Sequence, residues 1–343
     1  MLYYYALLYY NINLKQIKTM KKIHLISTLI GLLAFSTLAK ADLKVVTSIK
    51  PIHSLASYIM DGVGSPGLIV DGYNSPHSFQ LKPSHAKMLE QADIIFWIGE
   101  DLENFLEKPL ATIAKKAEKI ELLEIKGIKK LKFRERNIFE EHDDHGHDAK
   151  KEEHDDDDDH GHDAKKEEHD DHEGHGHGEY DPHIWLDPIN AKVILNEITE
   201  HLIENDSKNT ATYKSNLAKA LAKIDKLIID VITETNTDLS YVVFHDAYQY
   251  YENRFNVNIL GAMTVNPDVM PGAEQIHEIH EVIEHDNVSC ILSEPQFNPD
   301  IIKSIAKDTN VKTGVLDPLG ANLKPGKDLY FDLIRNMSAS FNC

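Results

Sequence analysis

The sequence has few cysteines, no excess of basic residues and no apolar run of membrane-spanning length. Its 343 residues include two cysteines, and 36 lysines and arginines stand against 56 aspartates and glutamates. The longest apolar stretch, residues 25–38, is shorter than the roughly 20 residues that a helix needs to cross a bilayer. No HExxH metalloprotease motif occurs. These absences exclude a basic nucleic-acid-binding surface, an ordinary transmembrane helix and one common class of zinc hydrolase.

The N-terminal region has the order of features of a secretory signal peptide. A basic start at residues 20–22 precedes the apolar run, and residues 39–41 supply an A-x-A cleavage site. We therefore interpret residues 1–41 as upstream residues and signal peptide, with Met20 as the true start and a mature chain from Asp42. No cysteine adjoins the cleavage site, so no lipid anchor is expected. The protein is predicted to reach the periplasm of a Gram-negative bacterium, without membrane insertion after cleavage.

The two cysteines, Cys290 and Cys343, admit two interpretations. Export to an oxidising compartment permits a disulfide between them. Closing that loop is worth about 4 kcal/mol in the chain-entropy model and would fix the C-terminal tail to the last domain. The alternative is two free thiols, with Cys290 packed in a strand.

Residues 140–179 consist mostly of His, Asp, Glu, Lys and Gly. They contain 19 acidic residues and four lysines, so they carry −15 of the chain's net charge of −20. Residues 145–156 recur unchanged at 160–171, as is typical of low-complexity tracts. Because almost no residue is apolar, the tract cannot bury enough surface to offset its chain entropy, and we predict a disordered insertion.

Ten of the protein's 20 histidines lie in this insertion. Imidazole and carboxylate groups attract metal cations, so the composition indicates metal binding rather than only a solvated acidic linker. The predicted accessory metal ligands are His142, His145, His147, His154, His160, His162, His169, His172, His175 and His177.

Outside the insertion, short apolar strands alternate with amphipathic helices, which is typical of parallel α/β units. In the first half, a helix is predicted around residues 102–119, after the last of that half's predicted strands. The predicted strands cover residues 43–49, 68–70, 93–98, 241–244, 257–260, 288–292 and 311–316.

One long helix is predicted to connect the two halves. Apolar residues recur with a 3.6-residue period over residues 210–234, a length of about 37 Å. No flexible Gly/Ser linker separates the halves. We expect an N-terminal α/β lobe at 42–206, which carries the insertion, a linking helix at 207–236 and a C-terminal α/β lobe at 237–343.

Three histidines and one aspartate outside the insertion are the candidate metal ligands. His77, His245 and Asp317 each follow a predicted strand, and His183 lies just beyond the insertion. Ligands of open parallel sheets bind outside the carboxyl ends of the strands. Three imidazoles and a carboxylate fit a tetrahedral zinc site, and two ligands from each half would place the metal between the lobes.

Several other polar residues have ordinary structural interpretations. Asp187 and Asp246 adjoin candidate ligands and are expected either to orient imidazole N–H groups or to cap helices, and capping is favoured for Asp187 before Pro188. Six other histidines are interpreted as surface or capping groups: His53, His85, His201, His277, His280 and His285. His277 and His280 stand one helical turn apart and could pair on a metal, but their helix is interpreted as exposed.

Six features follow one another in a diagnostic order. They are SPHSFQLKPS, the acidic His-rich insertion, DPHIWLDP, VVFHDAYQYY, ILSEPQFNP and LDPLG. With the signal peptide, this order resembles the periplasmic zinc-binding component of ABC importers, the ZnuA-like group of cluster A-I solute-binding proteins, over residues 42–343. The resemblance implies two Rossmann-like lobes with parallel four-stranded sheets, joined by one long rigid helix, with the metal in the cleft between them.

The resemblance also implies zinc ligands at His77, His183 and His245. Manganese-binding relatives usually have Glu at the third position, and His245 there favours zinc because nitrogen ligands suit it better. Some zinc-binding members have a Glu just before the first histidine, where this chain has Pro76. The fourth ligand is therefore either Asp317, as in several relatives, or water.

The function implied is high-affinity capture of Zn²⁺ in the periplasm by a monomer, without catalysis, and delivery to the membrane permease of an ABC importer. The insertion is expected to collect zinc weakly for the cleft or to sense its abundance. Two other classes stay open from the residues. A secreted zinc-dependent hydrolase is one, because three histidines with an open position can activate water. A zinc-storage or adhesin-like protein that relies on the His-rich tract is the other.

Overall fold

The computed structural model describes residues 42–134, 138, 178–264, 267 and 270–343. The predicted signal peptide and the ten histidines of the insertion lie outside the described residues. Within those ranges, no helix combines the length and the apolar character needed to cross a bilayer.

The first sheet has four parallel strands in the order β2-β1-β3-β4. Every residue of β1 and β3 is buried, which is typical of central parallel strands covered on both faces. The strands are β1 (Val45–Ile49), β2 (Gly67–Val70), β3 (Ile94–Trp97) and β4 (Glu118–Glu121). The helices are α1 (Lys50–Ile59), α2 (Pro83–Glu90), α3 (Glu100–Thr112) and, beyond the insertion, α4 (Pro188–Asn205).

Strand β4 corrects the prediction of a helix over residues 102–119. Helix α3 ends at Thr112, shortly after Pro109, and the chain then forms the edge strand of the sheet. Only Ile120 of this strand is buried, and its other residues are charged. Charged side chains protect an exposed sheet edge from pairing with other chains, but they also remove the apolar signal that identifies a strand.

The second sheet repeats the strand order of the first, as β6-β5-β7-β8, again with all strands parallel. Its strands are β5 (Ser240–His245), β6 (Asn258–Thr264), β7 (Cys290–Ser293) and β8 (Lys312–Val315). The helices of this half are α6 (Gln249–Phe255), α7 (Ala273–His285), α8 (Asp300–Thr309) and α9 (Leu329–Ser340). A disulfide joins Cys290 of β7 to Cys343, as the disulfide interpretation of the sequence expected.

Helix α5 (Thr210–Glu234) stands between the two sheets in the chain and has the predicted bounds. Its buried stripe includes Tyr213, Ile224 and Val231, and it packs against α1, α4 and α9. The C-terminal helix α9 also returns to the first half, where the Tyr330 backbone N–H donates to Ser54 Oγ at 2.9 Å. The architecture confirms the predicted α/β fold with two four-stranded sheets and one long helix.

Candidate metal site

Three histidines from separate segments meet between the two sheets. His77 lies in the loop after β2, His183 precedes a short 3₁₀ turn before α4, and His245 is the last residue of β5. One ring nitrogen from each lies within 4.8 Å of the other two. The ring centroids are 5.2–5.6 Å apart, so the rings form a nearly equilateral triangle. His183 and His245 are buried, and His77 is half-buried.

Each buried imidazole is held by a buried carboxylate. His183 Nδ1 lies 2.7 Å from Asp181 Oδ1, and His245 Nδ1 lies 2.6 Å from Glu294 Oε1. Such a partner keeps the proton on Nδ1 and leaves the Nε2 lone pair available.

The two Nε2 atoms face each other at 3.3 Å. A tetrahedral zinc ion with Zn–N bonds of about 2.0–2.1 Å separates its nitrogen ligands by roughly 3.3 Å. The spacing therefore fits two ligands of one tetrahedral ion, and the ring of His77 supplies a third nitrogen.

Glu294 adjoins the site and was not predicted from the sequence, although it is part of the ILSEPQFNP motif. It directly follows β7, at the same sheet edge as His245, and it is buried. Tyr248 Oη donates a second hydrogen bond to the same carboxylate oxygen at 2.8 Å. The available signal was its position after a buried strand, the same signal that identified His77 and His245.

Asp317 organises a loop in this structure. Its Oδ1 accepts the backbone N–H groups of Leu319 and Gly320, and its Oδ2 accepts that of Ala321 at 2.6 Å. Gln296 Nε2 also donates to Oδ1 at 3.0 Å. Gly320 has a φ of +68°, a left-handed conformation that glycine adopts without strain. The structure thus brings the three predicted histidines together. The fourth predicted residue, Asp317, instead has both carboxylate oxygens hydrogen-bonded to backbone N–H groups of its own loop.

The two aspartates next to the histidines have other partners. Asp187 accepts the Ile189 N–H at 2.8 Å as the N-cap of α4, and it pairs with Arg254 at 2.7 Å, so the capping interpretation is confirmed. Asp246 pairs with Arg134 at 3.2 Å. The alternative that these aspartates orient imidazoles is not seen for either residue, because Asp181 and Glu294 contact the Nδ1 atoms of His183 and His245 instead.

Burial and charge shift the pKa values of the buried histidines in opposite directions. Burial, and then the neighbouring charge of His245, hold the pKa of His183 well below its ordinary value. Burial also acts to lower the pKa of His245, but the charge and hydrogen bond of Glu294 outweigh it and raise that pKa. Of the two buried histidines, His245 therefore has the higher pKa.

The carboxylates beneath the histidines are also strongly perturbed. Burial raises the pKa of Asp181, of Asp246 and of Glu252 to about 7 each, although Arg134 opposes the shift in all three. Arg134 contacts Glu252 at 2.5 Å as well as Asp246. Buried carboxyl groups that resist ionisation therefore surround the site, and a divalent cation nearby would favour their charged forms.

The walls around the three rings are mostly apolar. They include Pro76, Trp185, Phe297, Pro318 and Leu319. Trp185 Nε1 donates to the Pro318 carbonyl at 2.9 Å, which links the first half to the loop after β8. Apolar walls keep water away, so electrostatic interactions inside the pocket are stronger than at the surface.

Residues 45–342 match the model of the family described as ZnuA, zinc-uptake complex component A, periplasmic. The chain belongs to this family. A high-affinity zinc uptake system protein ZnuA from Brucella abortus (strain 2308) is 45% identical over 327 residues, which cover 94% of this chain and 98% of that protein. Its counterpart from Yersinia pestis is 36% identical over 312 residues, or 88% of this chain and 91% of that protein.

Solved structures share the fold of this ZnuA-family chain. A crystal structure of ZnuA has a TM-score of 0.66 at 20% identity and covers 87% of this chain and 99% of its own. A mutant of the laminin-binding adhesin Lmb from Streptococcus agalactiae has a TM-score of 0.67 at 21% identity, covering 88% and 98%. At this identity the likeness establishes the architecture of two sheets and a long helix.

In this ZnuA-family chain, described residues that flank the His-rich insertion lie close to His183 and His245. Lys132 and Tyr180 form an antiparallel bridge, and the Asp181 N–H donates to the Leu131 carbonyl at 2.8 Å. Asp181 contacts His183, and Arg134 reaches the residue after His245. Described residues on both sides of the insertion, Arg134 and Asp181, therefore lie at the edge of the site.

Proposed function

We propose that this protein captures Zn²⁺ in the periplasm with His77, His183 and His245 and delivers it to the membrane permease of an ABC importer. The observation that carries the proposal is the 3.3 Å spacing of the His183 and His245 Nε2 atoms, with each Nδ1 held by a buried carboxylate. The names of the curated relatives, high-affinity zinc uptake system proteins, support zinc as the ligand and uptake as the process.

The donor set favours zinc over harder divalent ions. Three imidazole nitrogens suit a borderline cation that accepts tetrahedral geometry, whereas manganese and magnesium prefer oxygen. We propose that water takes the fourth position, because both oxygens of Asp317 already accept backbone N–H groups. Asp181 and Glu294 would offset the charge of the ion through the imidazoles that they hold.

Direct bonds between the halves support a site that is formed before zinc arrives. Lys50, the first residue of α1, is buried, and its Nζ donates to the carbonyls of Gly320, Ala321 and Leu323 at 2.7, 3.0 and 2.7 Å. The loop that these bonds hold is the one that Asp317 organises. With the long helix α5, they favour small movements of the two halves over a wide hinge closure.

The insertion is proposed to raise the local zinc concentration at the cleft. It carries ten histidines and most of the negative charge, and Arg134 and Asp181, which flank it, lie at the edge of the site. Removing residues 142–177 should lower the number of weakly bound zinc ions and reduce growth on scarce zinc, while the tight site remains. Unchanged stoichiometry together with unchanged uptake would refute this role.

The main test removes all three cleft histidines from the full chain. The combined variant His77→Ala, His183→Ala and His245→Ala should lose its single tight zinc site in a competition titration with a zinc chelator, and it should not support growth on scarce zinc. The matched control replaces three histidines of α7, His277, His280 and His285, which are exposed or half-buried; it should keep both.

One tight site that survives in the cleft variant would overturn the assignment and favour zinc storage by the His-rich tract.

A hydrolysis assay of the zinc-loaded protein with ester and peptide substrates tests the absence of catalysis. We expect no turnover, because Asp181 and Glu294 contact the Nδ1 side of the imidazoles, whereas a metal and its water would lie on the Nε2 side.

A further inference from the structure

A second group of metal-ligating side chains lies on the first lobe, away from the cleft. Glu118 of the edge strand β4 and His201 and Glu204 of α4 each place one ligand atom within 4.8 Å of the other two. His201 is 13 residues along α4 from Pro188, which is roughly 20 Å at the helical rise of about 1.5 Å per residue. The group is therefore separate from the three cleft histidines.

The two nitrogens of His201 have different surroundings. Nε2 lies 3.2 Å from Glu197 Oε1, one helical turn earlier, and this contact has hydrogen-bond geometry. Nδ1 lies 2.9 Å from Glu118 Oε1, but that contact lacks hydrogen-bond geometry. Nδ1 is shielded from solvent and has no hydrogen-bond partner within the described ranges.

This arrangement is unfavourable for a neutral imidazole without a cation. When Nε2–H donates to Glu197, the lone pair of Nδ1 faces a carboxylate oxygen at 2.9 Å. Two lone pairs at that distance repel each other. An ion bound by both atoms would turn the repulsion into coordination, because ligand atoms on one metal are commonly about 3 Å apart.

The ligands come from two elements that are separately fixed. Glu118 is held in β4 by its pairing with Ile94, and Asn205 Nδ2 donates to its second oxygen at 3.0 Å. Glu197, His201 and Glu204 lie on one face of α4, at spacings of four and three residues. Glu204 is exposed, and its carboxylate already has an oxygen within 4.8 Å of the ligand atoms of Glu118 and His201.

We propose that Glu118, His201 and Glu204 form a second binding site for a divalent transition-metal cation of the zinc type, which links the sheet edge to α4. One imidazole and two carboxylates are a suitable donor set for zinc, with solvent completing the coordination. This site has fewer nitrogen ligands and more solvent access than the cleft, so it fills at higher zinc concentration.

The test follows the chemical reactivity of His201 in the full chain, with free zinc set by a chelator buffer so that the insertion does not deplete it. Diethylpyrocarbonate modifies imidazole nitrogens, and peptide mass spectrometry measures the rate at His201. Zinc should slow this rate about tenfold when its free concentration is ten times the dissociation constant. His277 is the internal control. Like His201, it has a glutamate four residues away on its own helix, Glu281 at 3.5 Å, but no strand residue in the described part of the chain supplies it with a second ligand.

Two variants remove one ligand each without removing the histidine. Glu118→Gln and Glu204→Gln should abolish the protection of His201 by zinc, and Glu204→Gln should leave folding unchanged because the residue is exposed. Glu200→Gln, also exposed on α4, is the matched control and should keep the protection. Protection of His201 no greater than that of His277, or protection that survives both ligand variants, would overturn the proposal. Slow modification that does not depend on zinc would also overturn it, because it would identify His201 as an imidazolium paired with Glu118 and Glu197.

Discussion

Replacing Glu294 by Gln tests whether a buried carboxylate tunes the cleft histidines. The amide keeps an oxygen that can accept the hydrogen bonds of His245 Nδ1 and Tyr248 Oη, which lie 2.6 and 2.8 Å from one oxygen of Glu294. What it removes is the negative charge. Charged hydrogen bonds of this kind are roughly twice as strong as neutral ones.

The expected loss of zinc affinity is 10- to 100-fold, the usual effect of removing a partner that orients a metal-binding histidine. This corresponds to about 1.4–2.8 kcal/mol. The substitution should also change the pH dependence. Glu294 raises the pKa of His245 against the effect of burial, so its charge strengthens proton competition as well as zinc binding. Without the charge, the pKa of His245 falls, and zinc binding should persist to lower pH before protons displace it.

The assay is a chelator competition titration of the full chain from neutral pH to about pH 5, the range in which histidines titrate. Glu284→Gln, exposed on α7, is the control for loss of one negative charge in the same half of the chain. It should leave affinity and pH dependence unchanged. If Glu294→Gln binds zinc as tightly as the parent chain, with the same pH midpoint, Glu294 does not orient His245 on a metal and the reasoning fails.

Three further predictions concern stability. Lys50→Met should lower the free energy of unfolding by about 2–4 kcal/mol in urea denaturation, because three backbone carbonyls, two of them buried, lose their donor. The pair Cys290→Ala and Cys343→Ala should lower it by about 4 kcal/mol, and equal urea midpoints for the two chains would contradict the loop-entropy estimate. Burial raises the pKa of Glu103 to about 7, so its folded-state carboxyl resists ionisation and stability falls as pH rises from about 4.5 through 7. Glu103→Gln should remove that fall and gain about 3 kcal/mol over the parent at pH 8, with no gain at pH 4.

Local signals in the sequence identified most of the architecture and the three histidines. The buried stripe of α5 predicted its bounds because a 3.6-residue period depends on neighbouring residues alone. His77 and His245 were predicted because each follows an apolar strand, and parallel strands present their carboxyl ends at one edge. The capping role of Asp187 was equally local, since its partner is the N–H of Ile189.

The residues that sequence analysis missed act across the fold. Glu294 meets His245 across 49 positions of the chain, and such a contact depends on the order of the strands in the sheet. Asp317 was predicted as a ligand because it follows a strand at the same edge of the sheet. In the structure its carboxylate accepts hydrogen bonds from backbone N–H groups of its own loop, which the sequence pattern did not indicate.

The second metal group was missed for the same physical reason as strand β4. The charged residues of Glu118–Glu121 keep the sheet edge soluble, and they also led to the prediction of a continued helix. A helical Glu118 would have had no reason to meet His201, so the histidine was interpreted as a surface group. Once β4 is the edge strand, Glu118 lies beside α4, and the i, i+4 and i+7 spacing of Glu197, His201 and Glu204 becomes one side of a site. Strand β4 is therefore hard to predict from the sequence because its residues are charged. The same strand supplies Glu118, the ligand that α4 cannot provide from its own face.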